Sequence, residues 1–165
     1  MNVKKKRFIC AFVNALLILL CFILRFSGAT LALGEAIPII LLPLVLSVAM
    51  FFSENAALTA GFLTGVLMDS SSSETLVFNT LFFTLGALAC SLLSSKYLNR
   101  NLKSALCLSA GMSFGYYILK YLIYFVFSSV SAQHSYFSSY LIPSAIYTAL
   151  WIIPFYFMQK KLNNI

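Results

Sequence analysis

Apolar residues in this chain come in long blocks separated by short charged breaks, with none of the strict alternation that marks a half-buried strand. Six blocks are bounded in this way: Phe8 to Leu24, Ala36 to Ser53, Asn55 to Met68, Thr75 to Ser95, Ser104 to about Phe127, and Tyr136 to Met158. A helix rises ~1.5 Å per residue and needs about 20 apolar residues to cross ~30 Å of hydrocarbon, so most of the blocks have the length of a membrane span. The third is shorter, a length that a re-entrant segment would also accept. The pattern predicts an all-α integral membrane protein: a bundle of six transmembrane helices forming a single polytopic membrane domain over residues 1–165.

Composition closes off the soluble alternatives. Of 165 residues, 61% are hydrophobic and 9% charged, against roughly 25% charged in an ordinary globular domain. No stretch is polar enough to form a separate soluble module. The formal charge of +7 would suggest a nucleic-acid partner in a soluble chain, but the positions of the basic residues give another explanation. With the N-terminus inside and six crossings, Lys4, Lys5, Lys6, Arg7, Lys96, Arg100, Lys103, Lys160 and Lys161 all fall on the cytoplasmic side. Only Arg25 falls outside, and Lys120 lies within the fifth block. Merging the second and third blocks into one span would push the Lys96–Lys103 loop outward, against the positive-inside rule. Both termini are therefore expected in the cytoplasm, and the excess charge encodes orientation rather than nucleic-acid binding. The N-terminal block also resembles a signal peptide, with Ser27, Gly28 and Ala29 as small residues after it. Its 17 apolar residues exceed the ~7 to 15 of an h-region, and Arg25 interrupts the approach, which favours a retained span.

Candidate chemistry is sparse. Cys10, Cys21, Cys90 and Cys107 all lie in apolar blocks, none in a C-x-x-C pair, and read as packing residues. A lone histidine, His134, cannot supply the three or four ligands of a zinc site. No phosphate-binding loop, nucleophile elbow or metalloprotease helix motif occurs. The chain reads as a non-enzyme, with no catalytic residues, no cofactor and no metal.

The most specific stretch is the third block, where Ala57, Gly61, Gly65 and Asp69 recur every four residues and share one helical face. Gly61 and Gly65 form a G-x-x-x-G, whose missing side chains let another helix backbone come close. Asp69 ends the same face at the outer end of the span, which points it toward a partner group. Lys120 is the candidate for that partner, with Glu74 a second acid at the same level; around it Tyr116, Tyr117, Tyr121 and Tyr124 resemble an outer aromatic belt. A second G-x-x-x-G at Gly111 and Gly115, with Cys107 one turn before, predicts another close-packing seam within the bundle or toward a partner helix. Pro38 and Pro43 in the second block, and Pro143 and Pro154 in the sixth, are expected to bend those helices. Tyr147, Trp151 and Phe155, with Tyr140 before them, form an aromatic stripe read as packing or lipid contact.

The run Gly61-Phe62-Leu63-Thr64-Gly65-Val66-Leu67-Met68-Asp69, followed after a polar break by Leu76-Val77-Phe78-Asn79-Thr80-Leu81, resembles the rod shape-determining protein MreD family. Gly61, Gly65, Asp69 and Asn79 match its pattern; Val77 stands where the family commonly has glycine, and Ser70 to Ser73 replace a more glycine-bearing loop. The resemblance implies a non-enzymatic scaffold in the bacterial plasma membrane. Its partners would be MreC, through a membrane helix and juxtamembrane region, MreB, and the cell-wall synthases of the elongation complex that direct lateral peptidoglycan insertion. A second resemblance, in size, six-span layout and the Ala11/Ala15 pair, is to the substrate-binding subunits of energy-coupling-factor vitamin transporters; Asp69, Glu74, Asn79 and Lys120 would then line an outward-facing polar pocket.

Overall fold

The computed structural model describes residues 3–26, 38–71, 77–97, 100–128 and 141–164. Among them all regular structure is helical: α1 (Val3–Phe26), α2 (Leu41–Phe51), α3 (Glu54–Ser71), α4 (Phe78–Lys96), α5 (Leu102–Ser128), α6 (Ile142–Leu150) and α7 (Ile152–Asn164). Stretches of α1, α4 and α5 are long and apolar enough to cross a membrane unaided, over Phe8–Arg25, Phe78–Lys96 and Leu102–Ile123. The bundle also keeps large apolar side chains on its outside. Phe8, Phe12 and Ile23 of α1, Leu81 and Leu85 of α4, and Phe157 of α7 are each more than half exposed. Water would not tolerate so continuous a surface, whereas hydrocarbon does. This is a membrane protein.

Three of the expected spans differ in the structure. The second block becomes helical only at Leu41, and its 11 residues reach about 16 Å, half the hydrocarbon thickness. Proline explains the late start. Pro43 has no N–H to donate and therefore fits the first turn, where no intrahelical bond is needed, rather than the middle of a longer helix. The fourth helix begins at Phe78, with Val77 as its N-cap. The sixth block is two helices, α6 and α7, meeting at Trp151. There the Trp151 N–H donates to the Thr148 carbonyl at 3.2 Å, a tightened turn, and Pro154 leaves the Leu150 carbonyl without its usual donor. Tyr136 to Tyr140 lie outside the described residues, as do Glu35, Glu74 and His134.

Every residue of α2 is buried. A helix that is apolar all round belongs in the centre of a bundle, and α2 packs on α3, α4, α5 and α7. Its N-terminal approach is tied down by polar groups from three other elements. The Thr148 hydroxyl of α6 accepts the Ile39 N–H at 3.0 Å and lies 3.2 Å from the Tyr117 hydroxyl of α5, while Arg25 of α1 donates to the Pro38 carbonyl at 3.1 Å.

α1 lies on the outside of this centre and, among the described side chains, buries a stripe, Cys10, Asn14, Ile18 and Cys21, at the three-to-four-residue spacing of one helical face. Gln159 of α7, fully buried, donates from Nε2 to Asn14 Oδ1 at 2.6 Å. One turn away the Cys10 thiol faces the Leu162 carbonyl at 3.8 Å. The first turns of α1 and the last turns of α7 thus lie at the same end of the bundle. Also at that end, the Tyr156 hydroxyl of α7 donates to the Arg100 carbonyl at 2.7 Å. Replacing Thr148 with Val keeps the volume but leaves the buried Ile39 N–H unpaired; in detergent-denaturant unfolding it should lower stability by about 1 to 2 kcal/mol, and Thr148→Ser should retain most of it.

Candidate functional site

The face Ala57, Gly61, Gly65 and Asp69 packs lengthwise on α4, and each position does a different job. Ala57, Gly61 and Gly65 are buried. A side chain at Gly61 would bring its Cβ to 2.7 Å from the Phe83 carbonyl oxygen and 3.1 Å from its carbon. At Gly65 the added Cβ would collide with the Thr80 Cα and stand 2.9 Å from the Thr80 nitrogen and 3.0 Å from the Asn79 oxygen. The obstruction is backbone, which cannot rotate aside. Glycine is needed here for close approach, because lipid supplies no hydrophobic drive and dispersion between touching backbones must hold the pair.

That closeness brings Asp69 to the start of α4. Val77 caps the helix with no side-chain hydrogen bond of its own, leaving N–H groups of the first turn without partners. Asp69 supplies what Val77 lacks. Its Oδ1 accepts the Asn79 N–H at 3.1 Å and the Asn79 Nδ2 at 2.9 Å. Its Oδ2 accepts the Thr80 N–H at 2.8 Å and the Thr80 hydroxyl at 2.5 Å. A carboxylate at a helix N-terminus also meets the positive end of the helix dipole. Asp69 stands one residue beyond the apolar run that ends at Met68. Burial raises its carboxyl, but the hydrogen bonds from Thr80 and Asn79 outweigh this and hold it below the ordinary carboxylate value.

The network continues into a third helix. Asn79, 2% exposed, uses its amide nitrogen on Asp69, and its Oδ1 accepts the Tyr116 hydroxyl of α5 at 2.6 Å. Those two bonds fix which way the amide points. Tyr116 is itself held by aromatic neighbours, with ring centroids of Phe82 at 5.2 Å, Phe78 at 5.5 Å and Tyr117 at 5.6 Å. One carboxylate therefore connects α3, α4 and α5 through three side chains.

The structure gathers Ala57, Gly61, Gly65, Asp69 and Asn79 into this arrangement and separates the other candidates from it. Among the described residues no ion pair joins Asp69 to Lys120; the acid is engaged by the α4 N-terminus. Tyr116 and Tyr117 are core residues, 1% and 5% exposed, rather than members of an interfacial belt, because their hydroxyls have partners inside. Gly111 and Gly115 form no seam among the described residues, since a Cβ at either would meet nothing within 4 Å. Their face of α5 points away from the bundle. Thr80 and Tyr116 are the hydrogen-bond partners that residue pattern alone overlooks. Thr80 adjoins the family-like Asn79, but a tyrosine in an apolar run carries no local sign of a buried hydrogen bond.

The described residues contain no group of three metal-ligating side chains, and the cysteines among them are unpaired. The arrangement clamps helices together; its donors and acceptors are engaged with one another.

A family model for the rod shape-determining protein MreD matches residues 5–165. The chain belongs to the MreD family. The match runs over nearly the whole chain, including α1 and α7, well beyond the Gly61–Leu81 stretch that carries the residue-level likeness. No curated protein and no solved structure shows significant similarity to the chain. Nothing in these comparisons supports the vitamin-binding alternative, and the polar groups Asp69 and Asn79 that would line its pocket bond to each other.

Asp69→Ala should destabilise the protein by about 1 to 2 kcal/mol, the usual effect of losing an N-cap, and a double-mutant cycle with Asn79→Ala should show coupling of about 0.5 kcal/mol or more. Because the folded carboxyl is depressed, its stabilising effect is complete above the unfolded value of about 3.9 and is lost as pH falls through the folded value. An acid titration of unfolding should show this loss in the parent protein and its absence in Asp69→Asn. Gly65→Val should prevent α3 and α4 from closing and lower the yield of folded protein sharply, whereas Gly111→Val should leave yield and thermal stability near those of the parent.

Proposed function

We propose that this MreD-family chain is a non-enzymatic scaffold of the bacterial plasma membrane, where it helps MreC, MreB and the cell-wall synthases of the elongation complex control rod shape and lateral peptidoglycan insertion. The family match over residues 5–165 carries this reading. The geometry supports it: the chain's most specific polar residues lock helices to one another, which suits a rigid platform better than a catalyst.

In this reading the chain crosses the membrane six times with both termini in the cytoplasm. The shared end of α1 and α7, marked by the Cys10–Leu162 and Asn14–Gln159 contacts, supports termini on one side. α2 crosses as part of a longer segment, enclosed by the bundle. The open face of α5 at Gly111 and Gly115 receives the membrane helix of MreC, since small residues on an unobstructed face permit close backbone approach. Lys96, Arg100 and Lys103 set orientation and meet anionic lipid; Lys120 belongs to the outer end.

Depletion in the native bacterium should round or bulge the cells, and the tagged protein should co-purify MreC. Gly111→Ile with Gly115→Ile should keep the protein folded and reduce MreC recovery at least severalfold. Unchanged recovery would remove the α5 face from the interface. Normal rods combined with lost vitamin uptake would overturn the scaffold reading.

A further inference from the structure

At the end of the bundle that carries Lys96, Arg100 and Lys103, a cavity of about 390 Å³ opens between the α2–α3 turn and the last turns of α4. That is within the ~300 to 1,000 Å³ of small-molecule sites. Its polar lining comes from Ser53, Glu54, Asn55, Ser91, Ser95 and Arg100, and its floor from Ala49, Met50 and Phe52.

Two observations distinguish it from an ordinary surface depression. First, Glu54 and Arg100 line the same cavity, yet among the described residues neither is engaged in an ion pair or side-chain hydrogen bond with the other or with any other group. Opposite charges that share a cavity without meeting leave room for a ligand bearing both signs. Second, Ser91 is 4% exposed, lines the cavity, and its hydroxyl takes no partner among the described residues. Its oxygen is therefore available to a ligand atom that enters the cavity. The Arg100 backbone is fixed by the Tyr156 hydroxyl, so the guanidinium projects from a held position.

We propose that this cavity seats the headgroup of a phospholipid that carries both a phosphate and a primary amine. Arg100 binds the phosphate, with Ser91 as a further donor; the first-turn N–H groups of α3 add positive potential. Glu54 takes the amine. The flanking Lys96 and Lys103 are exposed and favour approach of the phosphate end. An anionic headgroup with no amine satisfies Arg100 but leaves Glu54 facing negative charge, and a choline headgroup offers no N–H donor to the carboxylate. The proposed orientation enters only in naming the leaflet, the inner one.

The test uses the full-length protein in detergent micelles, followed by native mass spectrometry and thermal shift during titration with phosphatidylethanolamine, phosphatidylglycerol and phosphatidylcholine. Phosphatidylethanolamine should bind about tenfold more tightly than the other two, equivalent to ~1.4 kcal/mol. Glu54→Gln should abolish that preference while phospholipid binding persists; Arg100→Gln should weaken all three; Ser91→Val should weaken phosphatidylethanolamine without lowering the thermal stability of the lipid-free protein. Equal binding of the three lipids, tighter binding of phosphatidylglycerol, or an unchanged preference in Glu54→Gln would overturn the proposal. Soluble glycerophosphoethanolamine and inorganic phosphate serve as competitors: displacement of the lipid by either at equal concentration would identify a soluble phosphate ligand and overturn the lipid assignment. None of these outcomes depends on cell shape or on MreC, so the site fails or stands apart from the scaffold reading.

Discussion

The first turn of a helix has N–H groups with no partner inside the helix, and α4, capped by Val77, has no capping side chain of its own to meet them. Asp69 meets that need from the neighbouring helix. Its two oxygens take four donors from Asn79 and Thr80, and this is possible only because Gly65 lets α3 come down onto the Thr80 backbone. Glycine and acid are therefore one device: without the close approach the carboxylate would not reach, and without the carboxylate the start of α4 would stand unpaired. The same clamp sets the Asn79 amide, and through it the Tyr116 hydroxyl, so the positions of three helices follow from one side chain.

A second polar anchor sits around Thr148, where groups from α1, α5 and α6 fix the approach to the buried α2. Most of the remaining buried side chains are apolar or small hydroxyls, and apolar packing in hydrocarbon is weakly directional. The few hydrogen bonds therefore carry the specificity. They select which helix faces meet, while close packing supplies most of the attraction.

Much of this was legible in the chain. The every-fourth spacing of Ala57, Gly61, Gly65 and Asp69 marked the face that does pack, because steric demand for glycine and the cost of a stray acid both leave traces in residue type. The donors that Asp69 meets on Asn79 and Thr80 left no such trace, since opposite charges suggest pairing while a helix N-terminus is a backbone property with no letter in the sequence. Gly111 and Gly115 show the converse: the same spacing that signals a seam in α3 faces outward in α5, because spacing defines a face but not its neighbour. The division at Trp151 was half visible through Pro154, and the shortness of α2 through Pro43. Total burial of α2 was hidden, as an apolar run reads alike whether lipid or protein surrounds it.

That enclosure of α2 bears on the order in which the molecule can be made. Ribosomal synthesis delivers α2 before α4, α5, α6 and α7, yet those later helices form most of its surroundings. The hydroxyls that secure its approach, Tyr117 and Thr148, arrive only with α5 and α6. An 11-residue apolar helix has no lipid-facing side to rest on in the finished protein, so its native environment comes into being only as the C-terminal helices close over it. Assembly of this chain therefore runs against its direction of synthesis, with the centre completed only after the helices that follow it have been made.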